Sequence, residues 1–392
     1  MPKIISLLGP RRAGKTYLLF HLIQQLRTQL PADRIVYINF EDDRLFPLAA
    51  DELDALIRGY YALYPENKDQ PVYFFFDEIQ DAEGWERFVR RISDQEQCRI
   101  YLTGSSSKLL SRELASSLRV RTISYEVLPL SFREFLRFRQ TEWDLHSSKG
   151  QAVLAHELGE YLKQGGFPEL VFLPADLHRR IIQEYIDLML YRDLTERFSI
   201  RHPQPLKYLL KFLLVDMGRN VSIHKGYQDL KSQGYEIGKN TVYEYLAYLE
   251  EAFAIFRVPR FSHTLRQQAA QPSKVYGINA AFKYAMSSVP DAGQVFENTV
   301  FLELRRRGIE PYYVQGKQEA DFYAESGLLI NACLDISAPD TRKRELSGLA
   351  EAMQLLNLSE SQLITLNHRE TLAMQGRTIR IRPLWDFLLG PP

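Results

Sequence analysis

Along the first 135 residues, short apolar runs alternate with stretches whose apolar positions recur at helical spacing. The runs 4–8, 34–40, 72–76 and 99–103 are rich in Ile, Val, Leu, Tyr and Phe, which predicts strands. Between them, residues 15–29, 51–61 and 85–93 read as amphipathic helices. In the second of these, Leu53, Leu56, Ile57 and Tyr60 share one face. Residues 107–118 predict a further helix. The run Val72-Tyr73-Phe74-Phe75-Phe76 has no polar interruption, as suits a strand covered on both faces. Alternation of this kind predicts a parallel α/β sheet.

The pattern then changes. Residues 151–202 read as helical, with a sharp break at Gly165-Gly166-Phe167-Pro168. Residues 206–217, 222–231 and 239–250 are three amphipathic helices, with Asn240 placed to cap the third and a strand pair expected over 253–261 around Pro259. Three helices and a β-ribbon predict a winged helix. From residue 274 onward a helix at 293–306, strands at 311–314, 319–323 and 328–334, a helix at 342–356 and a strand at 362–366 predict a second α/β domain. The chain is thus divided at 1–135, 136–202, 203–273 and 274–392.

The chemistry sits at the strand ends. Gly9-Pro10-Arg11-Arg12-Ala13-Gly14-Lys15-Thr16 joins the first strand to the first helix, which is G-x-x-x-x-G-K-T in the setting it needs. Such a loop turns backbone N–H groups toward a phosphate, and the helix adds the positive end of its dipole. Lys15 would meet the outer phosphates, Thr16 would offer a hydroxyl to Mg²⁺, and Tyr17 completes the candidate nucleotide contacts. Asp77-Glu78 ends the apolar run in two carboxylates at the edge where parallel sheets bind ligands. Asp77 would hold Mg²⁺, usually through water, and Glu78 would orient and activate the attacking water. Hydroxyls follow the strand 99–103. Ser105, with Thr103 and Ser106 as alternatives, is the candidate to sense the γ-phosphate. A serine here would serve equally as a helix cap. Arg119 and Arg121 are candidates for an arginine finger presented to a neighbouring subunit.

The strings GPRRAGKT, FFFDEIQDAEGWERFVR, LTGSSSKLLSRELASSLRVRTISYEVLPLSFREFL and GGFPELV resemble a prokaryotic AAA-type ATPase family. The resemblance implies an N-terminal P-loop AAA domain, then a helical lid and winged-helix region, then a C-terminal domain of unknown function. Members carry a longer stretch ahead of the glycine loop, part of which lies against the nucleotide. Here eight residues precede Gly9, so the resemblance leaves the adenine contacts unassigned. By analogy Arg192 is a candidate lid arginine, with an ion pair to Asp193 or Glu196 as its alternative.

In the winged-helix region, Lys239, Asn240, Thr241, Tyr243 and Glu244 open the third helix, where a recognition helix would meet DNA. Lys225, Lys231, Arg257 and Arg260 would reach phosphates, while Glu244, Glu250 and Glu251 oppose them. A protein-binding role is therefore the alternative. The C-terminal order of elements resembles restriction-endonuclease-like folds, whose active members use a helix Glu, a strand-end Asp and an E-x-K on the next strand. Glu297 and Asp321 fit the first two places, but Asn331-Ala332-Cys333 stands at the third without acid or lysine. Such a site would bind Mg²⁺ poorly. The expectation is a nuclease-like shell without nuclease activity, serving as a nucleic-acid or assembly platform.

Composition narrows the class. With 392 residues, 45% hydrophobic and 25% charged, the chain is an ordinary globular protein of two or three domains. The apolar runs fall short of a membrane span, no signal-peptide pattern opens the chain, and Cys98 and Cys333 make neither a disulfide framework nor a Cys-based metal site. A reducing cytoplasm is expected. Net charge is zero, so nucleic-acid binding would rest on the mild basic excess between Leu177 and Val275. The reading is a Mg-dependent ATP hydrolase that binds ATP and ADP, forms a homo-oligomer, with a ring as one candidate arrangement, and touches no membrane. Hydrolysis would be coupled to DNA or partner remodelling. The alternative is a slow ATP-dependent switch without motor activity.

Overall fold

The computed structural model of the chain describes residues 3–45, 48, 52–106, 121–287 and 289–390. It divides into two compact units, residues 1–128 with 251–253, and residues 129–250 with 254–392. The four-part division read from the sequence is finer than this and stays a proposal.

In the first unit, β1 (Ile4–Leu8), β2 (Ile35–Asn39), β3 (Val72–Asp77), β4 (Cys98–Gly104) and β5 (Thr122–Glu126) form one parallel sheet in the order β2-β3-β4-β1-β5. Helices α1 (Lys15–Arg27), α2 (Leu53–Leu63) and α3 (Trp85–Gln95) lie in its connections. The fold class is mixed α/β, a P-loop AAA-type parallel sheet followed by helical and further sheet regions. Phe74, Phe75 and Phe76 are fully buried, as an unbroken apolar strand requires. Phe75 stacks on Tyr101 of β4 at 4.6 Å and packs with Leu7 and Leu19, which seats α1 on the sheet.

β5 was not expected from the apolar pattern. Its Ile123 and Tyr125 are exposed, and the strand is held at the sheet edge by main-chain pairing to β1. The strand order has one consequence for chemistry. β1 and β3 flank β4, so the glycine loop and Asp77 stand on either side of Thr103 and Gly104.

The second unit begins with helices Phe132–Phe138, Ser148–Gln164 and Ala175–Leu188, the last continued by a π-helical stretch Met189–Glu196. The break at 165–168 is enforced sterically. Gly165 has φ +70°, and a Cβ on Gly166 would lie 2.2 Å from the Leu130 carbonyl oxygen. Arg192 faces Glu196 at 3.9 Å. Helices Pro203–Val215, Ile223–Ser232 and Lys239–Glu251 follow, with an antiparallel sheet β6-β8-β7 built from β6 (Asn220–Val221), β7 (Ile255–Val258) and β8 (Ser273–Gly277).

Two expectations are corrected here. The strand partner of β7 is β8 rather than the segment after Pro259. Pro259 has no N–H to continue a hairpin, and the chain turns to the later strand Tyr312–Gln315, where Phe261 N donates to Tyr313 O at 2.8 Å. Asn240 lies inside the first turn of its helix, which starts at Lys239, so it does not cap it.

The C-terminal elements are helix Ala292–Arg306, β9 (Tyr312–Gln315), β10 (Glu319–Ala324), β11 (Leu328–Ala332), helix Pro339–Leu355, β12 (Glu360–Thr365), β13 (Glu370–Met374), β14 (Arg377–Pro383) and helix Leu384–Leu389. The sheet order is β13-β14-β12-β11-β10-β9. Leu349 and Met353 pack on Leu329, Leu363, Ile379 and Ile381 to form its core. The β13–β14 hairpin was not read from the sequence. It turns at Gln375 and Gly376, both at positive φ, and β13 is mostly exposed. Among the described residues, no helix is long and apolar enough to cross a membrane.

Candidate nucleotide site and a buried lysine cluster

The glycine loop is shaped by close approach and by left-handed backbone. A Cβ on Gly9 would stand 2.0 Å from the Val127 carbonyl oxygen. Gly14, at φ +98°, caps α1 with no side-chain hydrogen bond, so the first-turn N–H groups of α1 are left for a ligand. Arg12 is also left-handed at φ +65°. Lys15 folds back into the loop. Its Nζ donates to the carbonyl oxygens of Gly9 and Pro10, each at 3.0 Å.

The same ammonium lies 3.3 Å from Glu78 Oε1. β4 separates the two strands involved, so Glu78 must lean across its end. It does so from φ +50°, a conformation that costs a non-glycine residue roughly 1–2 kcal/mol. Gln80 Nε2 donates to Glu78 Oε2 at 2.7 Å. Burial pushes the Glu78 carboxyl up, but Lys15, Gln80 and Arg11 outweigh it and hold the group below its ordinary value.

Asp77 is held at both oxygens. Thr103 Oγ1 donates to its Oδ1, and Tyr37 OH donates to Oδ2 at 2.8 Å. Thr103 Oγ1 also accepts from the Glu78 backbone N–H at 2.8 Å. One hydroxyl therefore ties both carboxylate residues to β4. Burial, then the bond to Asp77, holds the Tyr37 phenol protonated well above its ordinary range.

Replacing Thr103 with Val keeps the shape but leaves the buried Glu78 N–H unpaired. The expected cost is about 1–3 kcal/mol in urea unfolding, with ATP turnover lowered about tenfold and ATP affinity changed less. Unchanged stability and turnover would remove Thr103 from the machinery.

The remaining sequence candidates are placed as follows. Arg11 is ion-paired with Glu41 at the end of β2. Ala13 is buried, Thr16 half-buried and Tyr17 exposed. Ser105 is buried at the end of β4, beyond Thr103. Arg119 and the helix expected at 107–118 lie outside the described residues. Arg121 pairs with Asp94 of α3, at the amino edge of the sheet and away from the glycine loop. Lys225, Lys239, Asn240 and Tyr243 are exposed and Thr241 is half-buried. Arg257 pairs with Glu250 at 2.6 Å, and Arg260 donates to the Gln315 carbonyl oxygen at 2.9 Å. Sequence reasoning missed Tyr37 and Gln80. Tyr37 stands two residues before the carboxyl end of a strand, but which strand neighbours Asp77 is not written in that spacing.

In the second unit, Glu297 and Asp321 do come together, and Lys274 stands between them. This lysine is 1% exposed. Its Nζ lies 3.0 Å from Glu297, 2.7 Å from Glu319 and 2.9 Å from Asp321. Tyr276 OH donates to Glu297 at 2.7 Å. Burial opposes the ammonium, but Asp321, Tyr276, Glu297 and Glu319 outweigh it and hold its pKa well above the ordinary value. Burial and then Asp321 push the Glu297 carboxyl up to about 7. Glu297, Glu319 and Asp321 line a polar cavity of about 810 Å³ with Arg219, Asn331 and Arg344. No pattern in the sequence singled out Lys274, which lies in β8, outside the helix and strands that supply the acids.

The comparisons with known proteins agree with the first unit. The profile of an AAA domain family matches residues 1–136, and that of a domain of unknown function (DUF8612) matches residues 155–292. An uncharacterized protein of Methanocaldococcus jannaschii is 36% identical over 99% of this chain and 88% of its own length. An uncharacterized protein of Haemophilus influenzae is 30% identical over 78% of this chain and 74% of its own. The solved Walker-type ATPase of Pyrococcus abyssi is 14% identical, with a TM-score of 0.46 over 72% of this chain and 90% of that one. With the glycine loop and its acidic partner in place inside the matched AAA domain, and with the first relative similar along nearly the whole of both chains, the chain belongs to the family of that Methanocaldococcus jannaschii protein and carries an AAA-type P-loop domain over residues 1–136.

Proposed function

We propose that the chain binds MgATP at residues 9–17 and hydrolyses it with Glu78 as general base. The observation that carries this is the meeting of Lys15 and Glu78 across the end of β4. In this arrangement the lysine is held by two carbonyl oxygens and one carboxylate, all acceptors that phosphate oxygens would replace. As Lys15 turns to the phosphates, Glu78 loses the ammonium that depresses its basicity and becomes a better proton acceptor for water. Gln80 stays bonded to Oε2 and keeps the carboxylate aimed. Thr103 holds the backbone from which it projects.

The residues fit Mg²⁺. Thr16 offers a hydroxyl, and Asp77 is a carboxylate fixed in orientation by two hydroxyl donors, as suits a contact made through water. Bound Mg²⁺ supplies charge neutralisation on the phosphates. Ser105 is the proposed γ-phosphate sensor. Arg119 and Arg121 are the proposed fingers of a homo-oligomer, in which Arg121 would have to leave Asp94.

Coupling to DNA or to a protein partner is proposed through the region of Lys225 and Lys239–Glu251. Three helices with a three-stranded antiparallel sheet support a winged helix there. Lys225, Lys239, Asn240, Thr241 and Tyr243 would be the DNA contacts. The engagement of Arg257 and Arg260 within the chain favours the second reading, a slow ATP-dependent switch that binds a protein. Steady-state ATPase with and without duplex or branched DNA separates the two. The motor reading expects a rise of about tenfold or more. A slow rate indifferent to DNA supports the switch.

A further inference from the structure

We propose that the Lys274 ammonium is the resident cation of the Glu297–Glu319–Asp321 cluster, and that it excludes a divalent metal ion from a centre in which Glu297 and Asp321 stand at two of the acidic places of a nuclease. The inference is independent of the nucleotide site.

The resemblance of the C-terminal elements to restriction-endonuclease-like folds implies a metal ion, and the residues present do not fit one. An ammonium has three N–H donors, and Lys274 has three carboxylates to receive them, at 3.0, 2.7 and 2.9 Å. These are hydrogen-bond lengths. Ca²⁺ would draw oxygens to about 2.3–2.6 Å and Mg²⁺ to about 2.0–2.1 Å. Two of the other three carboxylate oxygens are also engaged. Asp321 Oδ2 accepts from the Ala332 backbone N–H at 2.9 Å, and Glu319 Oε2 accepts from Asn220 at 3.0 Å.

The third place of the nuclease pattern is closed by hydrogen bonds as well. Asn331 accepts from the Asp321 backbone N–H and donates to Glu345, each at 3.1 Å. Cys333 is no replacement ligand, because burial, then Glu345, pushes its thiol up to about 11. A tethered ammonium is always present at the site, whereas a metal ion must be captured from solution. The charge balance of the cluster is thus built into the chain.

Lys274 should therefore be exchangeable for a metal ion. The test uses the full chain without nucleotide, as wild type, Lys274→Met and Lys274→Met/Asp321→Asn, titrated with CaCl₂ and MnCl₂ by calorimetry and followed by thermal unfolding. Lys274→Met leaves three converging, half-buried carboxylates without their ammonium, so its Tm should fall by several degrees and recover with Ca²⁺ or Mn²⁺. Its affinity for the ion should exceed that of wild type by at least about tenfold and be lost with Asp321→Asn. The wild-type Tm should not respond to either ion. If Lys274→Met cannot be purified, Lys274→Met/Glu319→Gln/Asp321→Asn should fold without metal, because two of the three charges left unpaired are removed and Glu297 keeps the Tyr276 hydroxyl as a donor. Three results would overturn the proposal. One is a divalent ion bound by wild type and lost in Asp321→Asn. Another is a Lys274→Met protein that neither binds nor is rescued by the ions. The last is a neutralised triple variant that folds no better than Lys274→Met.

Discussion

Lys15→Ala is expected to weaken MgATP binding by about 10²-fold or more. The ammonium is buried beside the carbonyl oxygens of Gly9 and Pro10, and in the proposed complex it would meet the outer phosphates from inside the loop. Truncating one partner of a buried, hydrogen-bonded charge pair costs roughly 2–5 kcal/mol, and each 1.4 kcal/mol is about tenfold in Kd. The backbone N–H groups at the start of α1 remain in the variant, so residual weak binding is expected rather than none. The substitution also strips Glu78 of its counter-charge, so this carboxyl should rise in pKa as the desolvation that opposes its charge goes unanswered. Calorimetric titration with a non-hydrolysable ATP analogue and Mg²⁺ reads the first effect. A Kd equal to that of wild type would remove the nucleotide site from the glycine loop.

Glu78→Gln should have the opposite profile. Turnover is expected to fall by about 10²–10⁴-fold, the range associated with losing a positioned general base. Affinity should hold or improve. Lys15 is shared between Glu78 and two carbonyl oxygens, and a phosphate must displace the carboxylate to claim it. A neutral amide competes far less for the ammonium, so the variant should bind ATP at least as tightly as wild type. Single-turnover hydrolysis and equilibrium binding, measured on the same preparation, separate the two quantities. Equal turnover by variant and wild type would end the assignment of Glu78. Weakened binding with unchanged turnover would mean that its role is to shape the loop.

The proposed nucleotide site could be read from the sequence because each of its main parts is local. Gly9 to Thr16 is one loop whose spacing encodes a phosphate cradle, and Asp77-Glu78 closes one apolar strand. The supporting residues were not legible for the converse reason. Tyr37 meets Asp77 because β2 neighbours β3, and Thr103 meets Asp77 and Glu78 because β4 lies beside β3 on its other side. The positive φ that turns Glu78 toward Lys15 leaves no trace in residue type. Edge elements were missed on similar grounds. β5 and β13 are held by main-chain pairing and bury little, so no apolar run marks them, while in β14 the buried Ile379 and Ile381 are interrupted by arginines.

Residue order alone established a phosphate loop, an acidic strand end and a parallel α/β sheet around them, because hydrophobic periodicity and loop spacing act over a few residues at a time. It also placed Glu297 and Asp321 on a helix and a strand that would meet. Folding in three dimensions added what sequence distance conceals. Lys15 came to lie beside Glu78, and Thr103 came to lie beneath both carboxylates. The acids of the C-terminal domain closed on Lys274, which comes from a strand of a different sheet. The physical reason is range. A charge in a buried site is balanced by whatever lies within about 4 Å, and which residues those are depends on strand order and packing, with no regard to their separation along the chain.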